Sequence, residues 1–362
     1  VAGRDDICFP DEVRSRTGGM IMSVKFRKVL LVLAILSLAV LQVAPGSAKT
    51  VLRVAVVAGD RIGDRGFTDS AREGLVRAAK DFDIQYKIFE CKADASLYYD
   101  RTLAAAENFD LVFMDPGYFF DKELSEIAPK FPKVTFVYID GTSDIPGVVS
   151  IDFKEHEGSF LAGALAGLMA SNPKLKLGKP GKVVGFVGGA DWPVIRNFLA
   201  GYEQGVKYVD PSIKVESVFA GTHYDPAKGK EATLQAHKRG ANIVFQAAGP
   251  SGLGVLEAAR DAGFYAIGVD IDQCDSQPGF IMASMLKRVD NAVYDTIKLA
   301  VEGKLAKGTV FPYGVRERGV GLCECKHMED AVPKDVFEKL RDIEAKIARG
   351  EIVVNEYTPT SK

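Results

Sequence analysis

Two carboxylates, Asp270 and Asp272, close the run GANIVFQAAGPSGLGVLEAARDAGFYAIGVDID, which begins at Gly240. An ionised carboxylate only accepts hydrogen bonds, so it suits a ligand rich in O–H and N–H donors, such as a sugar diol or a purine edge. The run reads as one β-α-β unit. Ile243–Gln246 is a short apolar strand, Gly249, Gly252 and Gly254 form the turn, and Val255–Ala262 is a helix stopped by Gly263. Ala266–Val269 is a second buried strand that leads into the acidic pair. In an open parallel sheet, ligands bind beyond the carboxyl ends of the strands. Asp60, Asp115 and Asp140 fall at or just past other predicted strand ends, and Asp64 lies in the polar turn after the first of them. Any one of these could be an N-cap or turn residue. Their gathering on one edge of both halves is what points to a ligand.

Two aromatic residues accompany them. Phe67 follows the first strand in GDRIGDRGFTD, and Trp192, the single Trp, follows a later one in GGADWP. Each is either a core residue or a face on which a ring stacks. Lys287, in SMLKRVD, could donate to a sugar oxygen or pair with the aspartates. Gly188-Gly189 and Gly249–Gly254 could cradle an anion, but the spacing G-x-x-G-x-G is not the dinucleotide fingerprint. Neither G-x-S-x-G nor H-E-x-x-H occurs, and His156, His223, His237 and His327 are scattered. These patterns predict neither an enzyme nor a cofactor. Cys91, Cys274, Cys323 and Cys325 allow three pairings, which stay open, and a Cys-x-Cys without a second cluster is a weak metal signal.

The elements that must position these residues alternate strand and helix. The 362 residues are 47% hydrophobic and 26% charged, too long for one core and suited to two domains. The net charge of −2 suggests neither nucleic acid nor an anionic membrane as a partner. Lys25, Arg27 and Lys28 precede an apolar run, Val29–Val43, and then Pro45-Gly-Ser-Ala48. This predicts a signal peptide over 22–48, cut after Ala48, with 1–21 as upstream read-through. No Cys lies near the cut, so the mature chain is expected free in the periplasm. Strands are predicted at 51–58, 85–89, 110–114, 134–140 and 148–152, with helices at 70–82, 96–107 and 119–130 between them. Glu157–Ala170 is a Gly-rich helix suited to close packing. The alternation then restarts with strands at 183–187 and 214–219. It ends with a helix at 292–303, short strands at 310–313 and 319–323, and a terminal helix at 334–347. Such alternation makes parallel sheets: an α/β fold of two doubly wound lobes.

Four blocks carry a resemblance: GDRGFTDSAREGL, VVSIDFKEHEGSFLAGALAGLMA, VGFVGGADWPVIRNFLAGYEQGV and FQAAGPSGLGVLEAA with IGVDIDQ. They resemble the basic membrane protein family, which includes purine-nucleoside receptor lipoproteins, the substrate-binding components of ABC transporters. The resemblance implies a type I periplasmic-binding-protein fold with three crossovers in the hinge. It implies Phe67 as a stacking residue, Phe245 as a second one, and Asp140 near the base. It implies Asp270 and Lys287 on the ribose, with Gly249 in the turn beside it. Thr68 stands where the family has Asn, and Met114–Tyr118 where it has a Gly-Phe pair.

The expected lobes are 50–152 with 280–310, and 153–279 with 311–350. The expected function is capture of a purine nucleoside for an ABC importer permease by a monomer. Other ligands (a flavin, a sugar) and a sensor role for a membrane receptor are the alternatives.

Overall fold

The computed structural model describes residues 51–173 and 175–359. The predicted leader and the residues before it lie outside these. Two six-stranded sheets carry the fold. The first holds β1 (Leu52–Ala58), β2 (Ile84–Glu90), β3 (Leu111–Asp115), β4 (Thr135–Ile139), β5 (Val149–Phe153) and a strand from much later in the chain, β11 (Val310–Tyr313). Its order is β11-β5-β4-β3-β1-β2, and all its pairs are parallel. The second holds β6 (Val183–Gly188), β7 (Lys214–Phe219), β8 (Ile243–Ala247), β9 (Tyr265–Asp270), β10 (Ile281–Lys287) and β12 (Val320–Leu322). Its order is β12-β10-β9-β8-β6-β7, parallel except for β12 against β10. Residues 54–58, 111–115, 243–247 and 265–270 are buried throughout, as parallel strands covered on both faces must be. Each sheet reverses its strand order once, at β1/β3 and at β6/β8, which is where a crevice opens beyond the strand ends.

The chain passes between the sheets three times. Lys154 alone separates β5 from helix α4 (Glu155–Ala170), which packs on the second sheet. Arg288 alone separates β10 from α8 (Val289–Val301), which packs on α1 (Phe67–Asp81) of the first lobe. The third passage runs from β11 to β12. Helix α8 docks closely: a Cβ at Gly74 would sit 2.1 Å from the Asp290 carbonyl oxygen. The expected lobe limits therefore need correcting. Residues 281–287 belong to the second sheet, not the first, and β11 extends the first lobe to Tyr313. The run FIMASMLK is buried on both faces and poor in β-branched residues, so no alternation marks it as a strand.

Helix α4 is as the small residues suggest. It lies against α5 (Pro193–Val209), and a Cβ at Gly163 or at Gly205 would come within 2.1 Å of the facing backbone. Helix α1 starts three residues earlier than the predicted helix at 70–82. Asp64 accepts from the backbone N–H of Gly66, Thr68 and Asp69 at 2.9–3.0 Å, satisfying donors at the helix start. Phe67 is thus the first helical residue, not a loop residue.

The remaining helices are α2 (Tyr98–Asn108), α3 (Asp121–Ile127), α6 (Pro226–Lys238), α7 (Gly252–Ala262) and α9 (Lys334–Ala348). Among the described residues no helix is long and apolar enough to cross a membrane.

Candidate ligand-binding site

Each lobe ends one strand in an aspartate held in the left-handed region, Asp140 (φ +78°) after β4 and Asp270 (φ +67°) at the end of β9. Such backbone costs of order 1 kcal/mol or more and clusters at functional sites. At both positions it turns a carboxylate off the strand end into the crevice. Lys287, at the end of β10, is 1% exposed and is ion-paired with Asp140 and with Glu155 Oε1 at 3.0 Å. Its Nζ also lies 5.1 Å from the ring centres of Phe67 and Phe153 and 5.2 Å from that of Phe198.

Three carboxylates thus surround one buried ammonium. Burial pushes Asp270 up to about 7, an effect that Lys287 opposes and that Asp64 and Asp140 reinforce. Burial also raises Glu155, against the pull of Lys287. Burial alone would lower Lys287, but Asp140, Glu155 and Asp270 together hold it above the ordinary lysine value. The ammonium therefore stays charged, while Asp270 and Glu155 hold a proton more readily than free carboxylates do.

The lobes are closed on each other. Gly66 lies so near Asp270 that a Cβ there would be 3.4 Å from its Oδ2. The Gln273 amide donates to the Arg65 carbonyl oxygen across the crevice at 3.0 Å. Trp192 meets Tyr118 and Phe119 of the first lobe edge-on at 6.0 and 5.5 Å between ring centres. Beneath these contacts lies an inner cavity of about 80 Å³, and Phe67, Asp140, Gly249, Asp270 and Lys287 all line it. An outer cavity of about 500 Å³, lined by Trp192, adjoins it and shares Tyr118, Asp140 and Val194. A C-terminal strap closes one side of the outer cavity. Glu356 lines it and pairs with Lys154 at 3.0 Å, and the Tyr357 N–H donates to Asn197.

Five of the expected residues meet in one cavity, and Trp192 stands at its mouth. Phe245 does not join them. It is fully buried in the second core against Tyr202, Phe186 and Phe198. Asp64 is spent on capping α1. Asp60 and Asp115 line neither cavity; Asp115 is fully buried, and burial, then Asp64, holds its carboxyl well above the usual range. Asp272 points outward and accepts from the Cys274 N–H.

Three lining residues escape sequence reasoning. His223 follows β7 and stacks on Trp192 at 4.7 Å; burial pushes its imidazole down to about 4, so the ring is neutral. Tyr118 sits in the turn after β3, and Glu155 opens α4. Glu155 lay in reach, since it falls inside the quoted block VVSIDFKEHEGSFLAGALAGLMA. Cys274 and Cys325 form a disulfide, settling a pairing the spacing left open, and Cys91 and Cys323 are free.

Two lobes of this topology, closing on a polar crevice with aromatic walls, define a solute-binding protein of the periplasmic-binding-protein class. Residues 51–358 match the family model described as ABC transporter substrate-binding protein PnrA-like (Bmp), and the chain belongs to that family. It is 33% identical to basic membrane protein D of Borreliella burgdorferi, over 83% of this chain and 87% of that one. It is 30% identical to an uncharacterized lipoprotein of Pyrococcus abyssi, over 80% of each. The crystal structure of an ABC transporter solute-binding protein from Aeropyrum pernix superposes with a TM-score of 0.75 at 26% identity, covering 84% of this chain and 94% of that one. Solute-binding proteins of ABC transporters capture small ligands and interact with permeases.

The relatives overturn one expectation. One is named a lipoprotein and another a basic membrane protein, which points to membrane attachment rather than a protein free in the periplasm. The expectation of an unanchored protein rested on one short leader segment outside the described residues, and it is withdrawn.

Proposed function

We propose that this protein captures a purine nucleoside between its lobes and delivers it to an ABC importer. The observation that carries this reading is the single cavity shared by Phe67 of the first lobe and Asp270 of the second. An aromatic face suits a base, and a buried carboxylate suits a cis-diol, which can donate from both hydroxyls. Lys287 faces the same space and can donate to a ribose oxygen, and Asp140, which lines it too, can accept from a base edge. Gly249, in the left-handed region (φ +54°), lets the turn after β8 approach the ligand without a side chain. The neutral His223–Trp192 stack offers a second flat wall.

Closure of the lobes buries the ligand, and the closed form is the one a permease would recognise. A thermal-shift screen over nucleosides, free bases, flavins and sugars tests the reading, since a ligand that binds only the native state raises its midpoint. The expected result is a shift with purine nucleosides that exceeds the shift with their free bases. A shift with sugars or flavins alone would overturn it.

A further inference from the structure

Outside the ligand cavities, four side chains converge beside the edge strand β12. Asp272 and Cys274 follow β9, and Cys323 and Cys325 follow β12. One donor atom from each lies within 4.8 Å of all the others. Cys274 and Cys325 are joined, with their Cα atoms 5.4 Å apart, while the Cys323 thiol stands free 3.6 Å from Cys274 Sγ.

We propose that Asp272, Cys274, Cys323 and Cys325 form a zinc site when the disulfide is reduced, so that the cluster alternates between a disulfide and a metal-bound form. A disulfide needs two thiols; here a third thiol and a carboxylate are held against it. Zinc takes thiolates at about 2.3 Å, so two ligands of a tetrahedral ion lie about 3.8 Å apart. The Cys274–Cys323 separation already has that size. The Ser284 N–H donates to Cys323 Sγ at 3.1 Å, and the Cys323 N–H donates to the Ser284 carbonyl at 3.0 Å. Such outer bonds orient a metal-bound sulfur and share its charge. Asp272 is fixed by the Cys274 N–H, which donates to its Oδ1 at 2.9 Å.

The chemistry balances with one co-reactant, a dithiol. It gives two electrons and two protons to the Cys274–Cys325 bond, which opens to two thiols, and the dithiol leaves as its own disulfide. Zinc then displaces three thiol protons, which pass to solvent, and takes a carboxylate oxygen of Asp272 as its fourth ligand. Gln273, between Asp272 and Cys274, is the residue that reaches across to Arg65, so the two forms hold the closing contact through different covalent frames.

The test uses the full chain, reduced with dithiothreitol, freed of it under argon and titrated with cobalt(II). One cobalt per chain is expected, with the thiolate-to-metal charge-transfer band and the intense visible bands of a tetrahedral site; the oxidised chain gives neither. Cys323→Ser keeps the disulfide partners and is expected to bind at least about tenfold more weakly. Zinc is expected to raise the Tm of the reduced wild type, and at the same concentration to raise that of reduced Cys323→Ser less, a readout that holds even where reduction loosens the fold. A reduced wild type with only octahedral cobalt bands, a Cys323→Ser variant that binds as tightly, or no zinc effect on Tm would each overturn the proposal.

Discussion

The side-chain amide of Gln273 donates to the backbone carbonyl of Arg65 at 3.0 Å, joining the second lobe to the turn that carries Phe67. Its own carbonyl accepts from the Val269 N–H at 3.1 Å and from the Gln246 amide at 3.0 Å. The contact is therefore made by a rigidly held group and exists only while the lobes are shut. Gln273→Ala should weaken ligand binding by about 1 kcal/mol, roughly fivefold, because one hydrogen bond of the closed form is lost. Stopped-flow measurement of ligand release should show the change as faster dissociation; an unaltered dissociation rate would remove Gln273 from the closure.

Asp270→Asn should weaken nucleoside binding by about 2–4 kcal/mol, the range for losing charged hydrogen bonds to a diol. Asn keeps the shape and one acceptor, so folding should change little. Calorimetric titration with a nucleoside and its 2′,3′-dideoxy analogue checks this, since the dideoxy analogue should lose little affinity in the variant. Equal nucleoside affinity in wild type and variant would refute the ribose assignment.

Phe67→Ala should weaken nucleoside and free base alike, by about 1 kcal/mol or more, because stacking ignores the sugar. The same titrations read it out. A variant that loses the nucleoside and keeps the free base would place the base elsewhere.

Protonation gives a test with a definite sign. In the free protein Asp270 is raised from its ordinary 3.8 to about 7. Its contribution to stability is present below about pH 4 and is lost as pH rises through 7. Hydroxyl donors favour the ionised form, so the bound ligand should lower this value. Affinity should then fall as pH drops below about 7, and binding at that pH should release protons. Calorimetry in buffers of different ionisation heat measures the release; proton uptake on binding would contradict it.

Lys287→Met should cost about 3–5 kcal/mol of stability, since removing one partner strands Asp140 and Glu155 in the interior. Urea unfolding measures this. The loss should shrink at acid pH, where the stranded carboxylates take up protons. A loss below about 1 kcal/mol would mean that water reaches the cluster.

How much of this is legible in the sequence varies with the physics of each residue. Asp270 and Asp140 are legible because an apolar strand that stops in a carboxylate leaves it at the sheet edge where ligands bind. Phe245 misleads because a strand buried on both faces does not say which face looks into the crevice. β10 hides because Met, Ala and Ser in FIMASMLK are weak strand formers, and only its neighbours β9 and β12 make it one. Tyr118 and His223 sit in turns whose direction is set by packing across the crevice, which no local spacing encodes. The Asp64 cap shows the reverse: a carboxylate that reads as a ligand group is consumed by three backbone N–H donors.

The crossings between sheets pass beside Lys154 and Arg288, so Glu155 and Lys287 stand next to two of the three strands of the hinge. When a door swings, its handle sweeps an arc and its pin only turns. Trp192 and Gln273 are handle residues, and their contacts across the crevice come and go with each cycle. The Lys287–Glu155 pair is a pin, and it can stay intact at every angle. On opening, the ammonium can therefore keep Glu155 as its partner while Asp140, carried on the first lobe, moves away from it.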